Sequence, residues 1–153
     1  MQIKNKLLAV VGAGAITIAT VLVGFFEGKK NDAYLDVVGV PTICYGETKN
    51  VRLGDYKTDK ECEAMLHSEL QKTMQTVDKL VQAPLKETQR AALASFVYNV
   101  GEGAFARSTL LKKLNQGDVV GACKELDKWV YAGGRKLKGL MTRREVEKWL
   151  CLQ

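Results

Sequence analysis

Histidine is nearly absent from this 153-residue chain: His67 is the single one, and it stands in a charged stretch of helical character. A serine or cysteine nucleophile needs a general base beside it, so those hydrolase classes have almost nothing to be built from. Zinc fares no better, since no two cysteines stand two to four residues apart and one histidine cannot complete a ligand set. No glycine-rich phosphate loop separates a strand from a helix, and no internal repeat or low-complexity tail is visible. Neither a metal nor a cofactor is therefore expected. The basic residues of 135–144 are not interleaved with stacking aromatics and run straight into Glu145 and Glu147, which argues against a nucleic-acid partner. The chemistry left to such a chain is that of its carboxylates.

What is present begins with an uncharged segment, Leu7 to Phe26, twenty residues long and preceded by Lys4 and Lys6. As a helix it has the length to cross about 30 Å of hydrocarbon. Nine of its residues are Ala, Gly or Thr, however. The apolar remainder contributes only a few tenths of a kcal/mol each, roughly 5 kcal/mol together, so insertion is expected to be marginal. Lys4 and Lys6 before the run, set against Glu27, Lys29, Lys30 and Asp32 after it, give only a weak bias toward a cytoplasmic N-terminus, with the rest of the chain expected outside. Two fates stay open: a retained anchor, or a cleaved signal peptide using small residues such as Ala13-Gly14-Ala15. The net charge of +6 suits either an anionic partner surface or simple solubility.

Cys44, Cys62, Cys123 and Cys151 form an even set in a chain that reads as exported, which favours disulfides. Four cysteines allow three pairings, and sequence order points to Cys44 with Cys62 and Cys123 with Cys151. Residues 31–46 combine glycine and proline with valine, isoleucine and tyrosine, the composition of short strands joined by turns. Thr58-Asp59-Lys60-Glu61 then reads as a capping box opening a long amphipathic helix that stops before Pro84. The stretch ETQRAALASFVYNV at 87–100 is apolar on nearly every face and predicts a central helix ended by Gly101. Ser108 and Asp118 are candidate caps for further helices, Gly133 and Gly134 mark a break, and Thr142 is a candidate cap for the last helix. The expected organisation is an N-terminal segment 1–26 and a domain 27–153, with a small lobe 27–57, a connecting helix 58–82 and a helical lobe 84–153. A ligand would sit in the cleft between the lobes.

Glu27, Asp36 and Thr42 follow directly on the uncharged run, within EGKKNDAYLDVVGVPTICYG. Cleaving a glycosidic bond requires one carboxyl to donate a proton and another, ionised, to activate water or stabilise the sugar cation. Glu27 follows Phe25 and Phe26, apolar neighbours that suit a proton donor, whereas Asp36 precedes a turn where an exposed carboxylate stays ionised. The Thr42 hydroxyl can hold a water without titrating.

These residues resemble the phage lysozyme, or muramidase, family of endolysins, and in particular its signal-anchor-release members from lambdoid phages. Glu27, Asp36 and Thr42 fall in register with the family's Glu, Asp, Thr catalytic triad. RAALASFVYNVG at 90–101, STLLKKLNQGD at 108–118 and KWVYAGGRKLKGLMTRREVE at 128–147 are similar to its helical-lobe motifs. The resemblance covers nearly the whole chain and implies an α+β, mainly helical, lysozyme-like fold of two lobes behind an N-terminal transmembrane or signal-anchor helix. It implies hydrolysis of the bond between N-acetylmuramic acid and N-acetylglucosamine in bacterial peptidoglycan. Glu27 would be the general acid and Asp36 and Thr42 would handle the water, with inversion and no covalent intermediate. Arg143 or Arg144 would pair with Glu27, and Asn99 would contact sugar or satisfy its own helix end.

The resemblance also implies export by the host secretion machinery, inactivity at the inner membrane through the N-terminal helix, and release into the periplasm. The chain departs from the family's pattern at Glu47, which follows Gly46 where relatives often carry histidine; an extra carboxylate near the site is the consequence. Two rivals to a muramidase are a lytic transglycosylase, which Asp36 with Thr42 argues against, and a non-catalytic membrane-anchored module that only binds peptidoglycan.

Overall fold

The structure, a computed structural model, describes residues 2–153. The uncharged N-terminal run does not continue as one helix. Helix α1 (Gln2–Val10) gives way to a 3-10 turn (Val11–Ala13), Gly14 redirects the chain at φ +93° and ψ 160°, and α2 (Ala15–Glu27) starts after it. In this arrangement Leu7–Phe26 is two helices and not one of membrane length, and no helix among the described residues is long and apolar enough to cross a membrane. Gly12 and Gly14 supply the local reason, because glycine is a weak helix former and the Gly14 conformation strains any residue with a Cβ.

Packing supplies the rest of the reason. Ile3, Leu7, Ile18, Ala19, Leu22 and Val23 have no exposed surface, and they share one core with α3, α4 and α8 residues such as Leu70, Phe96 and Leu150. Burying a large aliphatic side chain is worth roughly 1.5–3 kcal/mol, so this segment brings on the order of 10 kcal/mol of apolar burial before ordering entropy is subtracted. In this arrangement residues 2–26 pack one face into the core of the helical lobe and leave the other exposed.

After α2 the chain forms the small lobe. Strands β1 (Lys30–Leu35) and β2 (Pro41–Cys44) pair antiparallel, with Tyr34 opposite Thr42 and Leu35 opposite Pro41. Ile43 and Glu47 exchange backbone hydrogen bonds beyond β2, which folds residues 43–47 into a tight turn. A Cys44–Cys62 disulfide fastens this lobe to α3 (Asp59–Leu80).

Helix α3 opens on the expected capping box: Thr58 Oγ1 accepts the Glu61 N–H at 3.1 Å and Glu61 Oε1 accepts the Thr58 N–H at 3.0 Å. Its buried residues, Cys62, Leu66, Leu70, Met74 and Val77, recur at helical spacing and line one stripe. Helix α4 (Glu87–Val100) is buried almost all round and ends at Gly101, whose φ of +92° terminates it at little steric cost. Short helices α5 (Glu102–Ala106), α6 (Thr109–Asn115) and α7 (Val119–Glu125) follow, the last two capped by the Ser108 and Asp118 side chains.

A two-residue Gly133-Gly134 turn then joins β3 (Tyr131–Ala132) to β4 (Arg135–Lys136), both glycines at positive φ as such a hairpin requires. Helix α8 (Lys138–Cys151) begins immediately after the hairpin. Thr142, expected to cap it, lies inside its second turn and donates to the Lys138 carbonyl at 3.1 Å. The early start follows from the hairpin, since Leu137 bonds back to the Val130 carbonyl and delivers the chain straight into the helix. A Cys123–Cys151 disulfide joins α7 to α8.

Candidate active site

Glu27 is the last residue of α2, and Gly28, at φ +68°, turns the chain away from it toward β1. The Glu27 side chain is about four-fifths buried, and its Oε2 accepts a 2.7 Å hydrogen bond from Arg143 Nη1 on α8. Its Oε1 faces Gly46, where an added Cβ would stand 3.2 Å away. Of the two arginines left open by the sequence, Arg143 is the one that meets Glu27. Its guanidinium also lies over the Phe26 ring at 5.7 Å from the centroid.

Asp36 and Thr42 meet around a single residue of the β1–β2 connection. The Asp36 N–H and the Thr42 hydroxyl both donate to the Val40 carbonyl, at 3.0 and 2.9 Å. Asp36 Oδ1 in turn accepts the N–H groups of Val38 and Val40, each at 2.9 Å. One carboxylate oxygen is therefore spent on holding the turn, and among the described residues Oδ2 takes no protein hydrogen bond. Thr42 is buried, but its hydroxyl oxygen keeps acceptor capacity after donating. No hydrogen bond among the described residues links Glu27 to either of them.

Behind Arg143 lies a network the sequence did not announce. Glu147, with no exposed surface, accepts from Ser95 Oγ at 2.5 Å and from Arg143 Nε at 3.3 Å, while its other oxygen accepts from Arg144 Nη1. Arg143 Nη2 adds a 3.1 Å bond to the Ser95 carbonyl. Arg144 does not reach Glu27: it donates to the Trp129 carbonyl at 2.9 Å and to Asn99 Oδ1, and it packs over Phe96. Burial pulls the Arg144 guanidinium below its usual value, opposed by Glu147. Asn99 is exposed at the end of α4 and is engaged by Arg144. The only sequence signal for this cluster is the i, i+4 and i, i+3 spacing of Arg143 and Arg144 to Glu147, which any solvated helix can show.

Glu47 lies in the turn that touches Glu27. Its Oε2 accepts the Tyr45 N–H at 2.9 Å, and its Oε1 lies 3.5 Å from the Tyr98 hydroxyl, which donates to the Tyr45 carbonyl at 2.8 Å. Burial first, then the nearby Glu69, pushes the Glu47 carboxyl above the ordinary carboxylate range. Burial, with Glu47 and Glu27 close by, raises the Tyr98 phenol well above its usual value. From this turn a cavity of about 390 Å³ opens between α3 and α4, lined by Gly46, Glu47, Glu69, Thr73, Tyr98 and Glu102 among others. Glu27, Asp36 and Thr42 do not line this cavity; Glu27 meets it only through Gly46, while the Asp36 carboxylate and the Thr42 hydroxyl stay grouped around the Val40 carbonyl.

The phage lysozyme family model matches residues 24–147. The SAR-endolysin of Bacteriophage PS119 is 47% identical, over 98% of this chain and 94% of its own length. Among solved structures, the muramidase domain of SpmX from Asticaccaulis excentricus superposes with a TM-score of 0.82 at 34% identity, covering 88% of this chain and 95% of that one. The active form of the P1 phage endolysin Lyz superposes at 0.79 with 28% identity over 88% and 83% of the two chains. The secreted inactive form of the same protein reaches only 0.53 at 25% identity over 68% and 74%. A family model spanning both lobes, and a relative aligned over nearly the full length, establish that this chain belongs to the phage lysozyme family.

Proposed function

We propose that the chain is a phage endolysin that hydrolyses the glycosidic bond between N-acetylmuramic acid and N-acetylglucosamine in bacterial peptidoglycan. Glu27 is the general acid, and Asp36 with Thr42 positions and activates the attacking water. The observation that carries this reading is the unequal placing of the two carboxylates. Glu27 is shielded and oriented by Arg143, whereas Asp36 is anchored through Oδ1 in an exposed turn beside the Thr42 hydroxyl. Such a pair, separate and unlinked, suits an inverting hydrolysis in which water enters between them. Arg143 favours the carboxylate left on Glu27 once its proton has gone to the leaving oxygen.

The same reading assigns residues 1–26 two alternative states. In the first, the segment is a helix in the host inner membrane, reached through the host secretion machinery, with the domain 27–153 on the periplasmic side. In the second, the one described here, the segment has left the bilayer and folded into the helical lobe. The greater likeness to the active than to the secreted inactive form of the P1 protein supports reading this arrangement as the working one. Because α2 carries Glu27 at its end and buries Ile18, Leu22 and Val23 against the rest, leaving the membrane and completing the site become a single event.

The test is release of reducing ends from purified peptidoglycan by the membrane-free protein and its Glu27→Gln variant. Reducing ends from the wild type alone are expected. Anhydro-sugar products would instead identify a lytic transglycosylase, and no activity from either protein would point to a binding module or to a released state that had not refolded. Equal activity of bilayer-held and released protein would overturn the membrane control.

A further inference from the structure

We propose that Glu47 is a positioning residue for Glu27: its side chain, with the Tyr98 hydroxyl, clamps the Tyr45–Gly46 turn against the Glu27 carboxyl. This inference rests on the reading of Glu27 as the acid.

The wall that Glu27 Oε1 meets is backbone. An added Cβ at Gly46 would stand 3.2 Å from Oε1 and 3.9 Å from Cδ, so the turn lies against the carboxyl and no side chain intervenes. Gly46 sits at φ +87°, a left-handed conformation that glycine adopts freely and that by itself holds nothing in place. What holds it is on either side. Glu47 Oε2 takes the Tyr45 N–H and the Tyr98 hydroxyl donates to the Tyr45 carbonyl, so both polar groups of the residue before Gly46 are fastened. Glu47 itself is fixed by the paired backbone bonds with Ile43, at 2.9 and 3.0 Å.

The clamp joins the two lobes. Tyr98 belongs to α4, Glu27 to α2, and the turn to the small lobe, so the depth at which the turn meets Glu27 is set across the cleft. With Arg143 bonded to Oε2 and the Gly46 turn facing Oε1, the acid is bounded on both sides. Holding the acid in line with the leaving oxygen is the kind of contribution that a small displacement removes without unfolding anything.

The clamp uses the side chain of residue 47 as an acceptor and does not need its charge. A glutamine there keeps an oxygen for the Tyr45 N–H, and its amide N–H can donate to the Tyr98 oxygen, whose own proton is already committed to the Tyr45 carbonyl. Alanine keeps neither. This separates positioning from electrostatics, which would distinguish glutamate from glutamine, and from mere structural support, which would lower stability but leave the turnover of folded molecules alone.

The experiment compares kcat and KM for reducing-end release by membrane-free wild type, Glu47→Ala, Glu47→Gln, Tyr98→Phe and Glu27→Gln, at a temperature where unfolding curves show each to be folded. Glu47→Ala is expected to lower kcat about tenfold, from misplacement of the acid, with KM within about twofold. Glu47→Gln should restore kcat to within about twofold of wild type, and Tyr98→Phe should lower kcat in the same sense as Glu47→Ala. A folded Glu47→Ala enzyme with wild-type kcat overturns the proposal, as does a Glu47→Gln enzyme no better than the alanine variant. If Glu47→Ala does not fold, Tyr98→Phe decides: unchanged kcat rejects the clamp. Full activity in Glu27→Gln would instead remove the reading on which the proposal stands, whatever the Glu47 variants do.

Discussion

Glu147 is charged and fully buried, and it survives there because Arg143, Arg144 and Ser95 all donate to it. Removing one member of a buried ionic cluster costs more than the cluster contributes, since the charges left behind have no solvent to turn to. Glu147→Ala leaves two buried guanidiniums side by side and is expected to lower unfolding free energy by about 3–5 kcal/mol in urea titration. A loss below about 1 kcal/mol would show that the arginines reach water. Glu47 presents the opposite case. Burial and Glu69 hold its carboxyl above the ordinary range, so the folded protein binds that proton more tightly than the unfolded chain. Its contribution to stability is complete below the unfolded value and is lost as pH rises through the higher folded one. Glu47→Gln, which cannot ionise, should therefore show a flatter stability–pH curve across that window and be the more stable protein above it. Identical curves would mean that Glu47 is solvated.

Helix α2 ends on Glu27, and Gly14 is the residue that lets it exist as a separate element. The break at φ +93° and ψ 160° is a conformation that a residue with a Cβ occupies at a cost of about 1–3 kcal/mol. An added Cβ meets nothing within 4 Å, so in Gly14→Ala the penalty is conformational alone. In a continuous helix the same substitution is favourable by up to about 1 kcal/mol. Gly14→Ala is thus expected to lower the melting temperature of the released protein and to retain more of the full chain in lipid vesicles. Vesicle partition equal to wild type would break the link between this turn and release. Core packing in α2 can be probed separately: Leu22→Ala should cost about 2–5 kcal/mol, because the site is fully buried against a closely packed core.

The whole molecule is tied by two disulfides with different spans. Cys44–Cys62 closes 18 residues and fastens the sheet lobe to α3, while Cys123–Cys151 closes 28 and binds the last helix to α7. Helix α8 carries Arg143 and Glu147, so the second bridge stabilises the element that orients Glu27. Replacing Cys123 and Cys151 together by alanine is expected to reduce stability by about 2–4 kcal/mol, read from urea midpoints with the first bridge intact.

The capping box at Thr58, the central helix 87–100 and the strand-forming stretch 31–46 were legible because each rests on a local rule: a cap, a period, a turn residue. The even cysteine count pointed to disulfides, but three pairings stayed open in the sequence and the folded chain decided between them. The candidates Glu27, Asp36 and Thr42 were legible as residue types, and their register came from likeness to a family. Three further features needed the folded chain. The uncharged run is long enough for a bilayer on composition alone, and only the folded chain shows it broken at Gly14 into two helices that each bury one face in the core shared with α3, α4 and α8. The choice of Arg143 over its neighbour depends on a helix phase that adjacent residues cannot reveal. The clamp of Glu47 and Tyr98 joins residues 51 apart, and no local pattern encodes it. Propensity and periodicity act over a turn or two of chain, whereas the placing of charge around Glu27 is set by helices brought together through burial.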